Sequence, residues 1–515
     1  MRAAAASHVA RISRLTLPDA ATPPPPGPIP RCGVVDLGSN SVRLVVFEGR
    51  GRNPLAIFNE KAVLGLGRGL QTTGRLNEEA LPQAVTVMAR YHAVARAMGA
   101  DPIEVLATAA VRDASNGPAF AQALRDAMPG VPITILEGEQ EARLSAEGVL
   151  MGFPSADGIL GDLGGGSLEL VELNQGAPGR MTSLPLGAIR LSDRAGGDVT
   201  RARGIAEAEL AGVPWLPNGK DRDLYLVGGA WRALAKIHIA QTAYPLSIVH
   251  HYVLRREEAR DLCGLVMAAT RRTLERIPGA PSKRLQDLPF AAVALRRLLR
   301  ATGARRVVFS ANGLREGWYA RLLPPAVREQ DPLLAAGREM AERYGRDTAM
   351  PQALVDWTAP LWGQENPAAT ALREAACWLS DIGSHDHPDY RAEQSFLRVL
   401  RQPGIGLDHH ERAFLALAVA LRYEPEADAP WLASARMLLD SAAMRRAEML
   451  GAVLRLAYTL SGGTPTLLSR TSLSVSGATL TLRLAGGGVF AGDSVQRRVE
   501  ALAATLGLEG IVDPG

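Results

Sequence analysis

The sequence predicts an α/β fold built from two duplicated lobes, followed by a mostly helical region. Three observations predict it. Residues 34–46 read VVDLGSNSVRLVV and residues 160–172 read LGDLGGGSLELVE, so Asp-Leu-Gly-x-x-Ser recurs within similar apolar surroundings. Between and after the two copies, short apolar runs alternate with amphipathic stretches, the pattern of an α/β chain. From about Asp331 strand signals give way to long amphipathic patterns.

The elements follow in order. Residues 1–30, rich in Ala and Arg and ending PPPPGPIP, read as a flexible extension closed by a stiff proline run. Each Asp-Leu-Gly copy reads as strand, tight turn, strand. LNEEALPQAVTVMARYHAVARAMGA spaces its apolar residues by three and four, with Asn77 as N-cap and acids in the first turn. IEVLATAAVRD opens as a strand, SNGPAFAQALRDAMPG is a helix, PITILEG a strand and EQEARLSAEGVLMGF a helix. After the second copy come a strand in YLVGGAW, a helix in RALAKIHIAQ, and strand then helix in RRVVFSANGLREGWYARLL. TSLSVSGATLTLRLAGGG alternates about Gly477 as a hairpin does, and DSVQRRVEALAATLGL closes the chain as a helix, giving a small α+β tail. The expected domains are an extension over 1–30, a first lobe over 31–152, a second over 153–328 and a helical C-terminal domain over 329–515.

Composition narrows the classes. The chain has 515 residues, too many for one core. Its 47% hydrophobic and 21% charged residues are those of a globular protein, and the net charge of +4 favours anionic partners only weakly. No apolar run is long enough for a bilayer, and the N-terminus lacks the apolar core of a secretory signal. Cys32, Cys263 and Cys377 are far apart, with no CxxC spacing, which fits a reducing, cytoplasmic setting without a disulfide framework or zinc cluster.

The glycines carry the first chemical signal. Three in a row, Gly164, Gly165 and Gly166, weaken either a helix or a strand. In a tight turn they let backbone N–H groups converge on a phosphate. Gly38 holds the matching place in the first copy. Ser41 and Ser167 add hydroxyl donors, and Asp36 and Asp162 stand at strand ends, where a carboxylate can hold hydrated Mg2+ against phosphate. Ser39 and Asn40 are expected phosphate contacts, and Arg43 and Arg112 can neutralise phosphate charge through a planar two-donor fork. Any one loop alone is an ordinary Gly-rich hairpin; the matched pair is what argues for a site.

The paired loops resemble the phosphate-binding hairpins of the actin, sugar-kinase and heat-shock ATPase superfamily. DLGSNSVRL, ATAAVRDASN, EGEQEARL, GDLGGGSLEL and SLPLGAIRL, followed by YLVGGAWRALAKIH and SANGLREG, are similar in type and order to the exopolyphosphatase and guanosine pentaphosphate phosphohydrolase family, over roughly residues 31–325. The resemblance implies two facing actin-like (ribonuclease H-like) lobes. It implies that Glu141, just before Ala-Arg, is the catalytic carboxylate; Glu139 and Glu147 remain open on sequence alone. It makes Glu169 a second carboxylate near the water or metal, and matches Gly228 and Gly229 to a segment that contacts adenosine in kinase relatives. AACWLSDIGSHDHPDY resembles the HDIG-type helix of HD phosphohydrolases, but Ser380 replaces the metal-binding His before Asp381. His385, Asp386, His387, His409 and His410 cluster nearby in sequence without a known metal spacing, so an HD-like domain without its metal is expected.

The expected function is a Mg2+-dependent exopolyphosphatase that releases terminal orthophosphate from inorganic polyphosphate. The alternative substrate is guanosine pentaphosphate. More distant rivals are an ATP-dependent kinase and a non-catalytic phosphate- or nucleotide-binding module. Neither nucleic acid nor membrane is expected as a partner, and a homodimer is.

Overall fold

The computed structural model describes residues 29–514, except 281, 364, 404–405 and 486–491. Nearly all of the proline-rich extension therefore lies outside the described residues. The chain forms two compact units, Ile29–Pro332 with Pro403–Asp408, and Leu333–Gln402 with His409–Gly515. Among the described residues no helix is long and apolar enough to cross a membrane. All three cysteines are free and buried.

The first unit holds two sheets of one design. β1 (Arg31–Leu37), β2 (Ser41–Glu48), β3 (Leu55–Val63), β4 (Ala100–Ala107) and β5 (Ile133–Ile135) are ordered β3-β2-β1-β4-β5. β6 (Gly158–Leu163), β7 (Leu168–Asn174), β8 (Ala177–Leu184), β9 (Asp223–Val227), β10 (Val253–Arg255) and β11 (Arg306–Phe309) are ordered β10-β11-β9-β6-β7-β8. In each sheet the Asp-Leu-Gly strand pairs antiparallel with the strand after its turn and parallel with the strand after a helical crossover. The sequence repeat is therefore a repeat of structure.

Helices cover the sheets. α1 (Leu81–Ala97) and α2 (Gly117–Ala127) bury apolar faces on the first. α1 starts later than its pattern suggests: Glu78–Ala80 form a 3₁₀ turn, and Asn77 before it makes no side-chain cap. Pro82 in the first turn of α1 needs no hydrogen-bond donor there, so that is where the α-helix begins.

α3 (Gly138–Gly152) sits between the sheets. Its Leu144 and Met151 join a core with Val34, Phe47 and Leu106 of the first sheet, while Ala142, Ala146 and Val149 join one with Leu160, Val171 and Val227 of the second. α4 (Ala188–Ala195), α5 (Val199–Ala211), α6 (Gly229–Gln241), α7 (Arg256–Ala268) and α8 (Leu288–Thr302) pack on the second sheet. α9 (Leu314–Arg321) returns to the first sheet through Trp318 and Tyr319 and crosses α3. That crossing is closed by glycine: a Cβ on Gly148 would stand 1.9 Å from the Gly313 carbonyl oxygen, and one on Gly317 1.8 Å from that of Leu144.

The second unit is mostly helical, with α10 (Pro332–Tyr344), α11 (Met350–Thr358), α12 (Pro367–Leu379), α13 (Arg391–Arg401), α14 (His409–Leu421) and α15 (Ser441–Ser461). It ends in the expected hairpin, β12 (Thr471–Ser476) and β13 (Thr479–Leu484), turned at Gly477 with φ 57°. α16 (Asp493–Leu506) then leads to β14 (Glu509–Asp513), which the sequence reading missed and which pairs parallel with β13.

Gly148→Ala should push α3 from α9 and lower stability by about 1–3 kcal/mol, the usual cost of overpacking. Gly204→Ala on α5, where a Cβ meets nothing within 4 Å, should raise it by up to about 1 kcal/mol. Thermal unfolding of both variants checks the contrast; equal melting temperatures would contradict the close crossing.

Candidate active site

The two hairpins are built alike. Gly38 N–H donates to the Ser41 carbonyl at 3.1 Å, and Gly164 N–H to that of Ser167 at 3.0 Å. In β1–β2 the register pairs Asp36 with Arg43; in β6–β7 it pairs Asp162 with Glu169. Directly paired residues share one sheet face. The same position thus carries a cation in one lobe and a carboxylate in the other.

None of Gly38, Gly164, Gly165 and Gly166 has positive φ. What the glycines allow is close approach. A Cβ on Gly166 would stand 2.8 Å from Ser39 Oγ, and one on Gly165 3.1 Å from Ser39 Cβ. Gly187, before α4, would meet the Gly165 and Gly166 backbone at 2.4 Å. Side chains here would force the two loops apart.

Between the loops lies one cavity. Asp36, Gly38, Ser39, Asn40, Ser41, Arg43, Glu141, Asp162, Gly164, Gly165, Gly166 and Ser167 all line it. Residues over a hundred positions apart are thus gathered as expected. Two expected residues stand behind the wall. Glu169 is buried and accepts the Ser183 hydroxyl at 2.8 Å. Arg112 donates to the Leu136 carbonyl at 2.9 Å and stands 3.6 Å from Glu141 Oε2. It is placed to balance Glu141.

Geometry separates the three candidate glutamates. Glu139 is exposed. Glu147 is engaged by Arg321 at 2.8 Å. Glu141, in the first turn of α3, is buried at the cavity, and its Oε2 accepts no hydrogen bond. Burial, then the charges of Glu169 and Asp162, hold its carboxyl well above the usual carboxylate range, with Arg112 opposing. Glu169 is pushed up to about 7, by burial and then by Asp162. Asp162 is pushed up to about 6 by burial, against the Ser145 hydroxyl that it accepts. Asp36 is raised by burial, against Arg315 and Arg43.

Asp36 and Asp162 are the two wall aspartates that could hold a metal. Asp162 accepts the Ser145 hydroxyl, and Arg315 Nε lies 3.9 Å from Asp36 Oδ2. Among the described residues no three His, Cys, Asp or Glu side chains converge as a metal cage. Mg2+ does not need one: it keeps most of its waters and shares one or two carboxylates with phosphate oxygens.

The sequence reading missed several wall residues. Lys61 of β3, Arg232 of α6, Arg284, Asp287 and Arg315 of α9 line the same cavity. Arg232 and Arg315 lie inside segments that carried the family resemblance, which was the available signal. Lys61 and Arg284 had none.

The helical unit answers the HD question. Arg346 binds Asp381 through Nε at 2.9 Å and Nη2 at 2.8 Å, and Arg422 Nη2 reaches the same carboxylate at 2.9 Å. Ser384 donates as well. Burial opposes ionisation, yet these donors and the Arg422 charge hold Asp381 below its usual value. Arg422 lies over the Tyr458 ring at 3.5 Å and the Tyr423 ring at 4.2 Å. Ser380 Oγ donates to the Cys377 carbonyl at 2.7 Å. His385, His387, His409 and His410 form no metal-binding group among the described residues. Guanidinium groups take up the charge that a metal would have met.

Residues 45–326 match the Ppx/GppA phosphatase family, and residues 333–510 match the exopolyphosphatase C-terminal family. Retrograde regulation protein 2 of Saccharomyces cerevisiae is 28% identical over 76% of this chain and 72% of its own length. Exopolyphosphatase 1 of Mycobacterium tuberculosis is 30% identical over 57% of this chain and 88% of its own. An exopolyphosphatase structure from Cytophaga hutchinsonii shares the fold at TM-score 0.52, with 24% identity over 57% of this chain and 97% of its own.

Two predictions follow from the charges. A carboxyl with raised pKa favours the fold while protonated, so Glu169 should cost stability as pH climbs from about 4.5 to about 7. With divalent metal chelated, Glu169→Gln should flatten that decline and gain on the order of 2 kcal/mol at pH 8; an unchanged profile of melting temperature against pH would contradict the charge crowding. Asp381→Ala strands the Arg422 guanidinium in a buried site and should cost about 3–5 kcal/mol, read by denaturant unfolding. A wild-type midpoint would show that the clamp is not formed.

Proposed function

Since this chain belongs to the Ppx/GppA phosphatase family, we propose that it is an exopolyphosphatase, which removes terminal orthophosphate from inorganic polyphosphate. The observation that carries the reading is the Glu141 carboxylate. It faces a cavity walled by two glycine hairpins and lacks any hydrogen-bond donor on Oε2. A water bound there has an acceptor for its proton and a phosphate site beside it.

In this reading the hairpin amides and the Ser39, Ser41 and Ser167 hydroxyls hold the terminal phosphoryl group. Glu141 orients a water in line with its phosphorus and takes the water's proton as the new P–O bond forms. The bridging P–O bond breaks, and the shortened chain leaves with that oxygen. Mg2+ held by Asp36 and Asp162 would supply charge neutralisation at the phosphate oxygens. Arg112 holds Glu141 against the repulsion of its neighbours, and Glu169 raises its basicity from behind. A base whose pKa is lifted toward neutral pH abstracts a proton better than an ordinary surface glutamate.

The yeast relative named for regulation covers more of this chain than the mycobacterial exopolyphosphatases do, which favours one second reading, a cleft that binds phosphate chains without turnover.

Glu141→Gln keeps the shape but cannot accept a proton. It should lower single-turnover phosphate release by about 10²–10⁴-fold while polyphosphate binding is kept. Glu139→Gln and Glu147→Gln should cost little. Wild-type rates in Glu141→Gln would remove it as the base, and a wild-type protein that binds polyphosphate but releases none, with or without Mg2+, would favour the regulatory reading.

A further inference from the structure

Asp113 is a carboxylate that the proposed chemistry does not use, and it stands next to a residue that does. After β4 the segment AAVRD forms a short helix, Ala109–Asp113, which sets Arg112 and Asp113 side by side at its end. Their side chains meet: Arg112 Nε donates to Asp113 Oδ1 at 3.1 Å. The other oxygen is engaged from the opposite lobe. Arg190 of α4 donates from Nη2 to Asp113 Oδ2 at 2.5 Å, and its side chain is only 10% exposed. Arg190 is itself fixed at the second hairpin, where its backbone N–H donates to the Gly165 carbonyl at 3.1 Å. Asp113 therefore ties the second hairpin to Arg112, with one oxygen on each guanidinium.

What this tie does to Arg112 bears on Glu141. The guanidinium is held at Nε by Asp113 and at Nη1 by the Leu136 carbonyl at 2.9 Å. So held, Nη1 stops 3.6 Å from Glu141 Oε2, too far for a hydrogen bond. The positive charge is near enough to favour an ionised carboxylate, yet Oε2 keeps its lone pairs, and it is the oxygen that no donor meets. An arginine free to close on Glu141 would bind it as a two-donor fork and occupy the lone pairs that a water proton needs. Stability alone gives the tie little purpose, because Asp113 is 32% exposed and ion pairs open to water contribute little to a fold.

We infer that Asp113 is a positioning residue for the reaction: it holds Arg112 short of Glu141, so that the base is balanced in charge yet open to water, and through Arg190 it makes that setting depend on the second hairpin. The inference rests on reading Glu141 as the base. Asp113 touches neither the water nor the phosphate in this account. It acts through Arg112, and loss of its charge releases Arg112 towards the one carboxylate left within reach, Glu141.

Steady-state turnover of polyphosphate and thermal melting of the full chain test it together. Asp113→Asn should lower kcat about 10-fold, the effect of one charge-assisted hydrogen bond formed on the base, with KM nearly unchanged. Asp113→Glu, which keeps the charge, should recover part of the loss, and Arg190→Met should lower kcat by a smaller factor. In an Arg112→Met protein, already slow, Asp113→Asn should add nothing. A loss confined to KM, equal kcat losses from Asp113→Glu and Asp113→Asn, or an undiminished effect in the Arg112→Met protein would overturn the inference. Melting needs no turnover. Asp113→Asn should lower the melting temperature more in a Glu141→Gln protein than in wild type, because Arg112 then has no second carboxylate to turn to; additive shifts would count against the inference as well. If the wild-type chain releases no phosphate, the exopolyphosphatase reading falls and the melting cycle alone decides the role of Asp113.

Discussion

Three carboxylates on one desolvated cleft and a fourth buried behind its wall repel one another, and much of the first unit is arranged to hold them together. Desolvation is the leading cause of every upward shift among Asp36, Glu141, Asp162 and Glu169, and mutual charge adds to it at Glu141 and Glu169. The opposing groups are few and local: Arg112 at Glu141, Ser145 at Asp162, Ser183 at Glu169 and Arg315 at Asp36. A fold selected for stability alone would not bury four acids so close together. This cost is of the kind active sites carry, because a carboxyl held near neutrality and a cavity short of positive charge at one end are what proton abstraction and cation binding use.

Two rigid constraints keep the acids in register. Glycines let the hairpins of the two lobes meet at Ser39 and Gly166, closer than side chains allow. Glycines at the α3–α9 crossing fix the helix that carries Glu141. Because α3 is packed on one sheet by Leu144 and on the other by Ala146, a displacement of either sheet moves the base relative to Asp36 and Asp162. The duplication supplies equal hairpins, and one register position then breaks the equality. Arg43 faces Asp36 where Glu169 faces Asp162. That difference sets a cation beside the aspartate in one lobe and a second carboxylate beside it in the other.

Much of this was legible in the sequence. The repeated Asp-Leu-Gly, the helix and strand alternation and the terminal hairpin all have strong local periodicity, and all are present. Edge strands were harder. β3 alternates in burial with one break at Ile57–Phe58 but buries no residue fully, β8 does not alternate, and β14 is short and pairs with a strand some 30 residues before it. Asp36, Glu141 and Asp162 were singled out because motifs surround them, and all three line the cavity. Lys61 and Arg284 were not, since a cation on an edge strand or in a short turn reads as ordinary surface until the fold brings it to the cavity wall. The glycines were noticed as a turn whose bare backbone a phosphate could approach; none has positive φ, and the close approach they allow is also that of the opposite hairpin.

Asp381 shows why resemblance of a motif is weaker than the chemistry of its contacts. The segment around it looks like a metal-binding helix with one ligand changed. Replacing the histidine by Ser380 removes a metal donor, but an aspartate left alone in that buried place would be costly to ionise. Arg346 and Arg422 resolve the difficulty by meeting the carboxylate with fixed positive charge, one of them stacked between two tyrosine rings. In the cleft the balance runs the other way: Asp36 meets a single arginine at 3.9 Å and Asp162 only the Ser145 hydroxyl, so neither carboxylate is closed by two guanidinium groups. A carboxylate closed by two arginines holds a fold together, whereas one left short of charge beside a phosphate cavity is available for a ligand. The same residue type serves structure in one unit and is positioned for chemistry in the other, and the donors around it make the distinction.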